Sequence, residues 1–343
     1  MRFQVLSGLG SRLACQASNS LLPKTPSGEI RRLTSSTAKF KDEDLLLFFN
    51  EEVQTILKTL TGFDLNKVFQ ARKLGHSLQA PQYKLMTSQQ VEEAIEKARD
   101  KASKLLQMPP VVPISQETDV VLSKDPELIA LDTSKYLITD ISFGKTDRTR
   151  TVVVRDLDGT LRKAHRSERR NANQTYFPIL GKQFRVPKMF QPEHLKPVLE
   201  RGDYLFVLDR TCVEFDADDP EYHRITHTTY NHIDEKQAYG TLRFTRHFGP
   251  MVFYLVLSDN IDNLLLENLK TARLSDAAAL IQLHHIVHPN TKSAKNKLQS
   301  GQEMAFIKEY IDNDSKLKVA LELALMENDK REFPEAQASS GNL

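Results

Sequence analysis

The sequence predicts an α+β fold in which helical segments flank a small antiparallel β unit. Three observations predict it. Apolar residues recur at three- and four-residue intervals over 42–105 and again from residue 192 onward. Between these regions, β-branched and aromatic runs short enough for strands crowd residues 136–164. Two of the runs meet at Asp158–Gly159, a turn signal, with no helix between them of the kind a parallel βαβ unit requires.

In chain order, DEDLLLFFNEEVQTILKTL at 42–60 opens on acids suited to a helix N-terminus. Leu46, Phe49, Val53, Ile56, Leu57 and Leu60 make its apolar stripe, and Gly62 stops it. Residues 63–80 read as mixed, partly loop. Thr87 and Gln90 have capping-box spacing and start a second helix, with Val91, Ile95, Ala98, Ala102 and Leu105 as its buried face and MPPVVP at 108–113 as its end. Residues 114–134 read as linker. YLITDISF (136–143), RTVVVRD (150–156) and GTLRKA (159–164) read as strands, and HRSERRNANQ as a short polar helix. YFP (176–178) and FRVPKMF (184–190) read as extended, with Pro187 marking an edge. From 192 the pattern is helical, although 204–215 and 251–257 fit either helix or strand.

The organisation expected from this pass is 1–33 as a mitochondrial transit peptide, 42–113 as an N-terminal helical arm, 134–190 as the β unit with a basic face, 191–330 as a C-terminal helical domain and 331–343 as a disordered tail. The transit reading rests on composition. Residues 1–40 hold six basic residues, one acid (Glu29) and seven serines, with Phe3, Leu6, Leu9 and Leu13 on one helical face and RRLTSS at 31–36 resembling a processing site. Cleavage after 33 would leave 42 basic and 44 acidic groups and Cys212 as the one cysteine. Such a balance excludes binding to nucleic acid through overall charge and leaves only a local patch. The longest apolar run, MVFYLVL at 251–257, is far short of the ~20 residues of a membrane helix. No membrane partner and no small-molecule substrate are expected.

Charge is unevenly spread. Residues 145–188 carry twelve Lys/Arg and four Asp/Glu, whereas 203–235 carry nine acids and two cations. The densest run is LRKAHRSERR at 161–170. Its cations fall at helical spacings and could neutralise RNA phosphates, so Arg155, Arg162, Lys163, Arg166, Arg169 and Arg170 are the candidate RNA face. The alternative is a solvated face balanced by acids such as Glu168. Aromatics for stacking are sparse, Tyr176 and Phe177 being nearest.

The stretch DLDGTL at 156–161 also spells the nucleophile loop of a haloacid-dehalogenase-type Mg²⁺-dependent phosphatase, with Asp156 and Asp158 as its carboxylates. That chemistry needs a buried apolar parallel strand before the Asp, then a Ser/Thr, a Lys and a late acidic pair. Here Arg155 precedes Asp156, and Thr211, Asp218–Asp219 and SDNID at 258–262 miss the other roles in spacing or composition. A hairpin turn explains the residues more simply. Two His-x-x-x-His pairs, His223/His227 and His284/His288, would share helix faces but lack a third ligand at recognisable spacing, so packed histidines are expected rather than zinc. No catalytic, cofactor-binding or metal residues are assigned.

Taken in order, PQYKLMT (81–87), MPPV (108–111), KYLITDIS (135–142), GTLRKA (159–164), YFP (176–178), TYNHID (229–234), TRHFGPMV (245–252) and QLHHIVHP (282–289) resemble the protein-twenty-two family of the animal mitochondrial small ribosomal subunit, over roughly 42–330. The resemblance implies a structural, non-enzymatic ribosomal component in the matrix. It implies contacts to neighbouring ribosomal proteins and to small-subunit rRNA, and a part in subunit assembly and mitochondrial translation. It further implies that Gly159–Lys163 match the family's hairpin and that Asp156 and Asp158 are incidental turn residues. The rival readings are the phosphatase and a transient ribosome assembly factor.

Overall fold

The computed structural model describes residues 42–69, 83–117, 119–129, 133–295 and 302–332. The expected transit segment lies outside these, as does the expected tail apart from Arg331 and Glu332, which close the last helix. The fold is α+β as expected: among the described residues, helices precede and follow one four-stranded antiparallel sheet in the chain.

The first helical run is broken once. Helix α1 (Asp42–Leu46) passes into a 3-10 turn at Leu47–Phe49 before α2 (Glu51–Thr61) starts afresh. Asn50 forces the restart: its backbone is extended and its side chain accepts the Glu52 N–H at 3.0 Å. Gly62 ends α2 at φ 69°, with Phe244 packed so close that a Cβ would lie 2.8 Å from its ring. A single turn, α3 (Leu65–Val68), follows. Helix α4 (Ser88–Leu105) begins at the expected capping box: Thr87 N–H donates to Gln90 Oε1 at 3.1 Å and Gln90 N–H to Thr87 Oγ1 at 3.4 Å. Of its anticipated buried face only Ala102 is buried. Val91, Ile95 and Leu105 are exposed, because the described residues pack on α4 mainly near its end, through α3.

Strands β2 (Tyr136–Thr139), β3 (Val152–Arg155) and β4 (Thr160–Lys163) lie within the three anticipated runs. A fourth, β1 (Val121–Lys124), sits inside the stretch read as linker, and the sheet order is β1-β4-β3-β2. Register sets the two faces. Tyr136, Arg155 and Leu161 are mutual cross-strand neighbours, as are Ile138, Val153 and Lys163, so these six share the outer face. Val152 and Val154 point the other way and are buried. Helix α5 (Arg166–Tyr176) covers that inner side. It runs through Tyr176, so YFP is not an extended segment: nothing between 166 and 177 breaks a helix, and Pro178 comes only afterwards. FRVPKMF is likewise unpaired and ends in a 3-10 turn at Lys188–Phe190, not an edge strand.

The remaining helices are α6 (Pro192–Glu200), α7 (Tyr204–Glu214), α8 (Pro220–Lys236), α9 (Phe248–Leu257), α10 (Asp262–Lys270), α11 (Leu274–Val287), α12 (Glu303–Asn313) and α13 (Lys318–Glu332). Both ambiguous segments are therefore helical. Residues 248–256 of α9 are all buried, which is why periodicity could not classify them: a central helix apolar on every side has no stripe. Helices α2 and α11 pack against α9. Val53, Leu57 and Leu60 of α2 belong to the same core as Phe253 and Leu280.

Candidate nucleic-acid interface

The β3–β4 hairpin is the local origin of the candidate surface. Asp156 N–H donates to Thr160 O at 2.9 Å and Gly159 N–H to Asp156 O at 3.2 Å, closing a tight turn with Gly159 at φ 75°. Glycine is required twice over, since a Cβ at Gly159 would also fall 2.1 Å from the Asp125 carbonyl oxygen. The two aspartates are committed to this turn. Asp158 accepts the Thr160 N–H at 3.0 Å and its hydroxyl at 2.9 Å, which holds its carboxyl below the usual range. Burial pushes the Asp156 carboxyl up, but hydrogen bonds from Arg162 and Lys135 outweigh it and leave it lowered. Both carboxylates flank an antiparallel hairpin, not the end of a parallel strand.

The structure divides the six candidate cations into two groups. Arg155 and Lys163 lie on the outer sheet face with Tyr136 and Ile138. Lys163 is exposed and forms no ion pair among the described residues; Arg155 is partly buried, its Nε without a hydrogen-bond partner there. The other four hold the protein together. Arg162 on the inner side reaches Asp156 Oδ2 from Nε at 2.7 Å, and forks onto Glu168 from Nη1 at 2.9 Å and Nη2 at 3.0 Å. Those hydrogen bonds pull the Glu168 carboxyl down to about 2 and raise the Arg162 guanidinium. Glu168 also accepts the His165 N–H at 3.1 Å, so the same carboxylate starts α5. Arg166 donates to Ser115 O at 2.5 Å and lies 3.9 Å from Asp219. Arg169 donates to Asp147 O. Arg170 donates to Glu214 O at 2.6 Å, to the Glu214 carboxylate at 2.5 Å and to Gln183 O at 2.9 Å.

Sequence reasoning missed two residues of this network. Glu214 has a side chain with 0 % exposure and takes both Arg170 and Arg210. Arg150 is buried, donates to Asp140 O at 2.6 Å and Lys145 O at 2.9 Å, and lies 3.5 Å from the Phe177 ring centre. The available signal was the adjoining basic and acidic blocks: Arg148–Asp218, Arg166–Asp219 and Arg170–Glu214 join one block to the other.

The histidine pairs are packing groups. His223 and His227 meet edge to face at 5.4 Å, and His227 stacks on Tyr254 at 4.4 Å. Burial lowers both, His227 to about 4. His284 pairs with Asp259 at 3.0 Å, and His288 Nε2 donates to Val256 O at 2.8 Å. Among the described residues no group of three His, Cys, Asp or Glu is placed to hold a metal, and no helix is long and apolar enough to cross a membrane.

Comparison with known proteins places this geometry in context. A family model described as mitochondrial 28S ribosomal protein S22 matches residues 46–289. The chain is 38 % identical over 336 residues to a mouse protein (Mus musculus) named small ribosomal subunit protein mS22, covering 94 % of this chain and 93 % of that one. It is 38 % identical over 279 residues to the bovine protein (Bos taurus) of the same name, covering 81 % and 77 %.

Proposed function

Since the chain belongs to the mitochondrial 28S ribosomal protein S22 family, we infer that it is a structural component of the mitochondrial small ribosomal subunit, resident in the matrix and serving mitochondrial translation. The observation that carries this is 38 % identity over an alignment that covers 94 % of the chain, so the similarity runs through the helices and the sheet and is not confined to one segment. Its partners in this reading are neighbouring ribosomal proteins and small-subunit rRNA. A formal net charge of +2 on 343 residues supports a grip made largely by protein contacts, with RNA touching limited patches. The role is non-catalytic, in keeping with two aspartates bound into a turn.

The proposed rRNA face keeps all six cations in two tiers. Arg155 and Lys163 meet phosphate, while Arg162, Arg166, Arg169 and Arg170 fix the sheet, α5 and the preceding segment beneath them. Sedimentation of mitochondrial extract tests the function. The protein is expected in finished small subunits; recovery only with immature particles would instead identify an assembly factor. Lys163→Glu tests the face. It should melt within about 0.5 kcal/mol of the parent, as surface changes do, yet enter subunits less efficiently, and undiminished occupancy would remove Lys163 from the interface. Charge reversal of Arg162 is a poorer probe, because it also breaks the pairs to Asp156 and Glu168.

A further inference from the structure

We propose a second RNA-binding element, the loop of residues 179–188, which uses Lys182, Arg185 and Lys188 for phosphates and Phe184 with Tyr176 for unpaired bases. The proposal rests on the ribosomal reading above and adds a site outside the basic run.

Three observations carry it. First, the loop is pinned from beneath. On three consecutive residues, Arg210 donates to Gly181 O at 2.8 Å, Gln174 to Lys182 O at 2.9 Å, and Arg170 to Gln183 O at 2.9 Å, while Gln183 N–H donates to Glu214 at 3.2 Å. The buried carboxylate of Glu214 thus anchors the loop through two arginines as well as directly. Second, most side chains of the pinned loop face solvent, with Lys182 half-buried. Arg185 and Lys188 are exposed, Phe184 is 51 % and Tyr176 59 % exposed, and Lys182, Arg185 and Lys188 form no ion pair among the described residues. Third, no acid occurs from Arg169 to Pro192, in a chain with 45 acids in 343 residues.

Arginines that bind their own protein therefore still serve recognition, by ordering a cationic loop. Cations three residues apart along chain of at most ~3.6 Å per residue stand within about 11 Å of one another, a scale suited to following a phosphate backbone. Exposed aromatic rings in the same short stretch of chain as unpaired cations are the equipment of single-stranded RNA binding, where bases stack and phosphates are neutralised. An acidic protein surface would satisfy the charges but leave the rings without that role.

The test is ultraviolet crosslinking of purified mitochondrial small subunits carrying the full chain, followed by mass spectrometry of its peptides. Nucleotide adducts are expected within 176–188. Phe184→Ala, which leaves the charge intact, should lower their yield about tenfold, and K182E/R185E/K188E at least as much. If the triple variant fails to enter subunits, the purified chain is titrated against an unstructured 20-nucleotide RNA. There the triple variant should bind at least tenfold more weakly, with a salt slope smaller by about 2, at roughly 0.7 per phosphate for a single strand. Adducts confined to other segments, a protein crosslink here without nucleotide, or unchanged RNA affinity of the triple variant would overturn the proposal. Absence of the wild-type chain from subunits would overturn the ribosomal reading itself.

Discussion

Glu214 concentrates the residue-scale energetics. One fully buried carboxylate serves two guanidiniums, whose Nη groups also reach the carbonyls of Gly181, Gln183 and Glu214 itself, while Arg170 Nε has no partner among the described residues. Such a cluster is costly to break from one side, because the surviving charges keep their desolvation penalty and lose their partner. Glu214→Ala is therefore expected to destabilise the protein by about 3–5 kcal/mol, lowering the melting temperature by roughly 5–8 °C for a chain of this size. Differential scanning calorimetry checks it, and a drop below about 3 °C would show that the cluster contributes little. Glu168 could be picked out in the sequence as an acid inside the basic run. Glu214 could not, since it lies 44 residues from Arg170 and nothing local links them.

At the scale of elements, α4 and α9 show opposite limits of pattern reading. The stripe on α4 announced a helix correctly, and the capping box placed its start. Burial did not follow, because periodicity reports an apolar face and not what covers it. In α9 the absence of a stripe hid a helix that is buried all round. The missed strand β1 is four residues long, exposed along its length, and paired to β4 with an irregular register; so little apolar alternation separates poorly from linker. These contrasts predict unequal costs for the same chemical change. Ile95→Glu on α4, where Ile95 is 42 % exposed, should alter stability by no more than about 0.5 kcal/mol. Leu57→Glu on α2, at 0 % exposure, would bury an unpaired carboxylate and should abolish cooperative folding. Denaturant titration of the two variants measures the difference, and comparable midpoints would contradict the assigned burial.

Across the whole molecule, charge segregation and buried histidines set the response to solvent. The basic block and the acidic block meet through Arg148, Arg166 and Arg170, so much of the formal excess of +8 in 145–188 is neutralised internally. Burial lowers His223, His227, His284 and His285 below the ordinary imidazole value of 6.5. An unfolded chain binds protons at these sites near pH 6.5, while the folded chain resists until lower pH, to about 4 at His227. Stability is thus fully present above pH 6.5 and falls as pH drops through that window. His227→Phe, which keeps a ring against Tyr254, should reduce the loss between pH 6.5 and 5 by about 1–2 kcal/mol. Chemical denaturation at the two pH values checks this, and an unchanged difference would mean that His227 titrates normally in the folded state.

The sequence by itself determined the α+β class, the turn at Asp158–Gly159, the cap at Thr87 and the stop at Gly62. Each is a short-range matter of backbone freedom, side-chain reach or apolar spacing, and needs no distant partner to be recognised. Only the tertiary structure decided which cations face outward. An arginine is spelled alike whether its guanidinium meets a phosphate in solvent or a carboxylate brought from another helix, and folding chose the second for Arg162 and Arg170 while leaving Lys163, Arg185 and Lys188 exposed.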